Sequence, residues 1–160
     1  MGSMRLFWFL CAASLFVVAC GGDEAASCIE LREPEDQASG QHVLSQGAVE
    51  YLTSPPTSGP HIAGPTPEGA LSTPVAEEIQ VRLLEAGGVM VQYDDGVGAA
   101  DVDSLEAIGS AAIVVAPAAV DLPDRIVATA WTWKLSCSTL DVARIEAFAA
   151  ERSADAPGID

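Results

Sequence analysis

The stretch VAEEIQVRLLEAGGVMVQYDDG, residues 75–96, holds the pattern on which the fold turns. Val75, Ile79, Leu83 and Ala86 recur at the spacing of one helical face, where side chains three and four apart lie above one another. Pro74 precedes them, and Glu77 and Glu78 fall in the first turn, where carboxylates complement the positive end of the helix dipole. Gly87 is the expected stop, because it enters the left-handed region without a Cβ penalty. Val89–Tyr93 (VMVQY) follows at once, too short for a helix and bounded by Gly88 and by Asp94-Asp95-Gly96, so it reads as a buried strand. A helix, a glycine break and a buried strand in one short stretch point to an α/β protein.

The same grammar continues toward the C-terminus. Asp101–Ala112 reads as a second helix, with Asp103 as N-cap and Leu105 and Ile108 as its apolar face. Ala111–Ala116 (AAIVVA) is a central-type strand. After the loop Pro117–Pro123, Arg125–Ser136 (RIVATAWTWKLS) reads as one long strand with Val127, Thr129, Trp131 and Trp133 on a single face. That tryptophan pair is a core face in preference to a ligand-stacking platform. Asp141 caps a last helix whose stripe is Val142, Ile145 and Phe148. On the N-terminal side, Gln41–Tyr51 reads as a strand or hairpin edge. Between it and the first helix, Ser54–Pro74 carries six prolines, each removing a backbone donor and fixing φ, so it is a long loop. Loops of that length in compact domains are commonly functional. The order is β-α-β-α-β-β-α: one domain, residues 41–150, an α/β layer sandwich with a mixed sheet. By analogy alone, that order matches the core of thioredoxin-like folds.

Outside this domain the composition changes. Residues 1–19 combine Arg5, an apolar run from Leu6 to Ala19 and a small residue before Cys20, the make-up of a secretory signal too short for a comfortable membrane span. The ending Val17-Val18-Ala19-Cys20 resembles a bacterial lipobox, in which Cys20 is diacylated and becomes the N-terminus. The alternatives are an ordinary secretory peptide cut nearby or an uncleaved anchor. Residues 20–40 are rich in Gly, Ala, Glu and Asp and read as a flexible tether, and residues 151–160 as a polar tail. The expected location is the bacterial cell envelope, with the chain held to the membrane through lipid and facing the periplasm or cell surface. Cysteine usage agrees. With Cys11 in the signal and Cys20 lipidated, Cys28 and Cys137 remain, and an even remainder in an oxidising compartment reads as one disulfide.

Charge narrows the partners. The chain carries 7 basic and 23 acidic residues, a net charge of −16. Such a field repels phosphate backbones and anionic headgroups, so nucleic acid is not a partner, and a protein or small ligand remains.

The motif of most interest is SPPTSGPH, residues 54–61, which places one of the chain's two histidines behind Gly59-Pro60. Together with QHV at 41–43, Tyr51 before the loop, a helix ending in Glu85 followed by GGV, and AW at 130–131, it resembles the bacterial family labelled domain of unknown function 3105. The resemblance covers residues of roughly 40 to 150. In that family the helix carries H-x-x-E-H-G. Here the aligned residues are Arg82, Leu83, Leu84, Glu85, Ala86 and Gly87, so both histidines are replaced. Two imidazoles at i and i+4 share a helix face and reach one transition metal, with the intervening carboxylate as a further ligand or base. The resemblance therefore implies a metal site, of which His61, Glu85 and His42 survive.

Each survivor also has a plainer role. His61 can hydrogen-bond its own loop, and His42 can be an exposed or structural histidine. Glu85 at a helix C-terminus opposes the dipole and needs a cation, which Arg82 at i−3 supplies. Pro55, Pro56, Gly59 and Pro60 would make the loop a rigid scaffold for His61. No nucleophile elbow, phosphate loop or reactive-cysteine context is present. Asp94-Asp95 and Asp101-x-Asp103 lack the spacing of a calcium loop and read as a solvated turn. The expectation is a non-enzymatic binding or structural module with a degenerate metal site and no cofactor. The alternative is a copper or zinc protein using His61 and Glu85.

Overall fold

The fold is taken from a computed structural model that describes residues 27–47 and 49–158. The signal segment, Cys20 and the first part of the expected tether lie outside the described residues. The elements in chain order are β1 (Cys28–Arg32), β2 (His42–Val43), β3 (His61–Ile62), α1 (Glu77–Glu85), β4 (Val89–Tyr93), α2 (Ala99–Glu106), β5 (Ile113–Pro117), β6 (Ile126–Ala130), β7 (Trp133–Cys137) and α3 (Val142–Arg152), with a 3-10 turn at Ser153–Asp155. None of these helices is long and apolar enough to cross a membrane.

Strand β4 shows why the chain folds as it does. Its residues are almost all buried, so consecutive side chains must find apolar partners on both faces of the sheet. Val89 and Val91 join Val115, Ile126, Ala128 and Leu135 against Ile145 and Phe148 of α3 and Leu105 of α2. Met90 points the other way, joining Val114, Ala116 and Trp131 against Val81, Leu83 and Leu84 of α1. The result is a sheet with helices on both faces. Its strand order is β1-β7-β6-β4-β5, with β4 and β5 parallel and the other neighbours antiparallel. Strands β2 and β3 form a separate parallel pair. The expected α/β class with a mixed sheet is what the chain adopts.

Helix α1 ends as the glycines require. Gly87 has φ of 86°, its amide donates to the Leu84 carbonyl, and the Gly88 amide donates to the Leu83 carbonyl, the paired bonds of a Schellman stop. The buried set is wider than the expected stripe and includes Glu78, Gln80, Val81, Leu83 and Leu84, because α1 lies between the sheet and the proline-rich loop. At α3 the N-cap is the expected one: the Asp141 carboxylate accepts from the Arg144 amide at 2.9 Å. Ile145 and Phe148 are fully buried beneath it, each contributing roughly 1.5–3 kcal/mol.

Four expectations need correction. Residues 28–32, assigned to the tether, form the fifth strand of the sheet, joined to β7 by a disulfide between Cys28 and Cys137 with Cα atoms 4.0 Å apart. The predicted pairing is right; the predicted boundary at residue 41 is not, since the apolar residues Cys28, Ile29 and Leu31 form only a five-residue run inside an otherwise Gly, Ala and acid-rich stretch. The tail assigned from residue 151 begins inside α3, and Arg152 is ion-paired to Glu30. The second helix runs over Ala99–Glu106 with Gly98 as N-cap, not Asp103. Just past its end, Gly109 leaves room for the Ala70 backbone, whose amide nitrogen would lie 2.8 Å from a Cβ there. Finally, the long strand over 125–136 is a hairpin, β6 and β7, turning at Trp131-Thr132. Thr132 adopts φ of 59°, and tertiary bonds hold it: its amide donates to Thr57 and its carbonyl accepts from Glu33. Trp131 and Trp133 therefore face opposite sides of the sheet.

Candidate functional site

The SPPTSGPH loop is interior structure. Pro55, Pro56, Thr57, Ser58 and Gly59 are all buried, and so is His61, which is 0% exposed. Four hydrogen bonds tie the loop to the rest of the domain. Lys134 on β7 donates to the Ser54 carbonyl at 3.2 Å, and the Thr132 amide donates to the Thr57 carbonyl at 2.9 Å. Ser58 Oγ accepts from the Asp36 amide at 2.8 Å. The Tyr51 hydroxyl donates to the Pro60 carbonyl at 2.7 Å, and burial pushes its pKa well above the usual phenol range. The Tyr51 ring lies 3.0 Å from where a Cβ on Gly59 would stand, and Gly59 has φ of 132°, so only glycine fits there. Prolines and tertiary bonds together deliver His61 to β3 in one position.

Strand pairing then sets the neighbours. His42 on β2 lies opposite His61 on β3, and their rings meet edge to face with centroids 4.9 Å apart. His42 is exposed, whereas His61 is fully buried behind it. The C-terminal turn of α1 closes the other side. Glu85 Oε2 lies 3.0 Å from His61 Nε2 and 3.1 Å from Arg82 Nη1. Arg82 also donates from Nε to the Gly64 carbonyl at 3.2 Å, anchoring the segment after β3. A cleft of about 360 Å³ opens beside this cluster, lined by Gly40, His42, Ala63, Gly64, Arg82, Glu85 and Gly158.

The electrostatics follow from burial. Desolvation lowers the His61 pKa, with His42 and Arg82 adding to the effect, against opposing influences from the Glu85 carboxylate and the Gly59 carbonyl. His61 is therefore neutral at neutral pH. Nε2 lies 3.0 Å from Glu85 and the Gly59 carbonyl also favours the protonated ring, but neither buried nitrogen makes a well-aligned hydrogen bond. Glu85 has its charge partner in Arg82 instead. That pair offsets the unfavourable placement of a carboxylate at a helix C-terminus.

Thus His61, His42, Arg82 and Glu85 come together, and Pro55, Pro56, Gly59 and Pro60 shape the loop that holds them. Met90, a soft donor on β4, is fully buried in the apolar cluster beneath α1 and takes no part. As a metal site the set fits poorly. A guanidinium shares the carboxylate oxygen a cation would need, and among the described residues no three His, Cys, Asp or Glu side chains are grouped to hold an ion. Asp94 and Asp95 border a larger cleft of about 650 Å³ at the carboxyl ends of β4 and β5. Asp94 accepts from the Gly96 amide and faces Arg125 at 3.8 Å, as a turn residue does. Composition offered no sign of the buried Gln80–Gln92 pair, whose side-chain amides bond reciprocally at 3.1 and 3.2 Å between α1 and β4.

The fold and the cluster define a two-faced α/β domain with a buried histidine held at a helix end by a proline-rich loop. The family model described as protein of unknown function (DUF3105) matches residues 42–158, and the chain belongs to that family. No curated protein and no solved structure matches the chain.

Proposed function

We propose that the chain is a lipid-anchored, extracytoplasmic, non-enzymatic module in which an arginine has taken the place of a metal ion. The observation that carries this reading is that Arg82 and His61 converge on the same oxygen, Glu85 Oε2, at 3.1 and 3.0 Å. A guanidinium at i−3 supplies fixed positive charge and bridges α1 to the Gly64 loop, the mechanical work a bound cation would do. The remaining cleft, rimmed by His42 and Arg82, suits a small ligand or a protein side chain in place of a coordinated ion. Replacing Arg82 with His and Ala86 with His tests the reading. The double variant is expected to gain stoichiometric zinc or copper binding; if it binds no metal, the arginine was not occupying a ligand position.

Anchoring rests on the apolar run ending in Val17-Val18-Ala19-Cys20 and on the disulfide, which belongs to an oxidising compartment. Cys20→Ser should move the protein from membrane to soluble fraction and abolish lipid labelling. An unchanged fractionation would rule the anchor out.

A second reading is favoured by one feature. The buried ring nitrogens of His61 make no well-aligned hydrogen bond, and Nε2 already faces Glu85 Oε2 at 3.0 Å, so imidazole and carboxylate point at one another across a place a metal would fill. In that reading the chain retains copper or zinc on His61 and Glu85, with His42 at the rim.

A further inference from the structure

The two edges of the main sheet are treated differently. At the β5 edge, residues 69–71 run alongside the strand. The Leu71 amide donates to Val115, and the Val115 amide donates to Gly69, so that edge is covered. The β1 edge has no such cover among the described residues. Glu33 donates to Thr132 at one end of the β1–β7 ladder and Ser138 donates to Ser27 at the other. Antiparallel alternation then turns the backbone groups of Ile29 and Leu31 inward to β7 and those of Cys28, Glu30 and Arg32 outward. No described group bonds to those three outward amides.

Natural edges are usually blunted by charge, proline or a bulge. Strand β1 has neither proline nor bulge. Its one carboxylate, Glu30, is withdrawn toward α3, where it pairs with Arg144 and with Arg152, the latter at 2.7 Å. On the opposite face, Ile29 and Leu31 are 62% and 57% exposed. Arg32, the strand's one cation, lies over the Trp133 ring at 5.7 Å, so the face that carries Ile29 and Leu31 is apolar.

We infer that β1 pairs with β1 of a second copy of this chain, antiparallel about a two-fold axis through Glu30, making one ten-stranded sheet. The register follows from the sequence Cys-Ile-Glu-Leu-Arg. Centred on Glu30, Ile29 lies opposite Leu31 of the second copy, Leu31 opposite Ile29, and Cys28 opposite Arg32. Shifting the centre by one residue sets Ile29 against itself and Leu31 against Ser27, or Leu31 against itself and Ile29 against Glu33. Only the Glu30-centred register places both apolar residues against apolar ones and brings all three outward residues of each strand into hydrogen-bonding positions. The contact is isologous, as a closed two-fold dimer requires. The net charge of −16 per chain opposes association, so the dimer fraction rises with ionic strength.

The test uses the full-length chain in detergent. Ile29→Cys and Leu31→Cys variants are mixed and oxidised, and cross-links are identified by peptide mapping against the wild type and a Leu44→Cys control. A mixed cross-link several-fold above either variant alone is the expected result. No excess over the control overturns the proposal. Sedimentation of the unmodified chain should give a dimer, and the double variant Ile29→Lys, Leu31→Lys, with unchanged circular dichroism, a monomer. A monomeric wild type, or a double variant that stays dimeric, overturns it as well. In the first case the edge is free for a strand of another protein.

Discussion

Reducing the Cys28–Cys137 bond in the otherwise unchanged chain isolates what the cross-link contributes. The cysteines are 109 residues apart, so the bond closes most of the folded domain into one loop. In the chain-entropy model a loop of that size is worth about 4–5 kcal/mol, acting on the unfolded state. A domain of this size is stabilised by about 5–15 kcal/mol in total, so reduction removes a large share. With a urea m-value of about 2 kcal/mol/M, the midpoint should fall by about 2 M. The loss has a local component. Once reduced, β1 keeps its ladder with β7 and the pairing of Glu30 with Arg144 and Arg152 but loses its covalent tie. Hydrogen exchange at the Ile29 and Leu31 amides should therefore speed up before the β4 amides respond. Urea titrations of oxidised and reduced protein, paired with exchange mass spectrometry, measure both effects. A stability difference below about 1 kcal/mol, or unchanged protection at Ile29 and Leu31, would refute the view that the bond staples β1 to the domain.

Acidification should weaken the fold through His61. Its folded pKa is lowered, chiefly by burial, so the unfolded chain binds the proton more readily. Its contribution is fully present above about pH 6.5 and is lost as pH falls from there toward the folded pKa, by at most about 1.4 kcal/mol per pH unit. The stability difference between wild type and His61→Gln should narrow between neutral pH and pH 5, and a constant difference would contradict the assignment of a neutral buried imidazole. Gly88→Ala should destabilise by roughly 1–3 kcal/mol, because overpacking at a filled site forces neighbours off their rotamers. A Cβ there would lie 2.3 Å from Leu83 Cδ1, and Leu83 is itself buried. Thermal melts of this variant that match wild type would show that α1 can shift away from β4.

What could be read without coordinates was whatever repeats or pairs locally. The helix and stop of residues 77–88, the nearly all-buried strand after it and the Asp141 cap carry their signal within a few residues, and the even cysteine remainder needs only a count. Arg82 and Glu85, one helical turn apart, belong to the same class. The hairpin at Trp131-Thr132 was hidden because no glycine or asparagine marks it; Thr132 is held at positive φ by Thr57 and Glu33, remote in sequence. Strand β1 was hidden because one of its faces is solvent and its other apolar partner is a disulfide. His61 was recognisable as a placed residue from the prolines and glycine before it. Its complete burial was not, since that depends on Tyr51, β2 and α1 meeting over the loop.

The claim that Arg82 occupies the place of a cation is most directly tested by titrating the unmodified chain with zinc and with copper(II) by isothermal calorimetry. No saturable one-to-one binding tighter than about 1 μM is expected, a threshold of about −8 kcal/mol. Tight, stoichiometric binding that disappears in His61→Ala would contradict it and establish His61 and Glu85 as ligands of a working metal site.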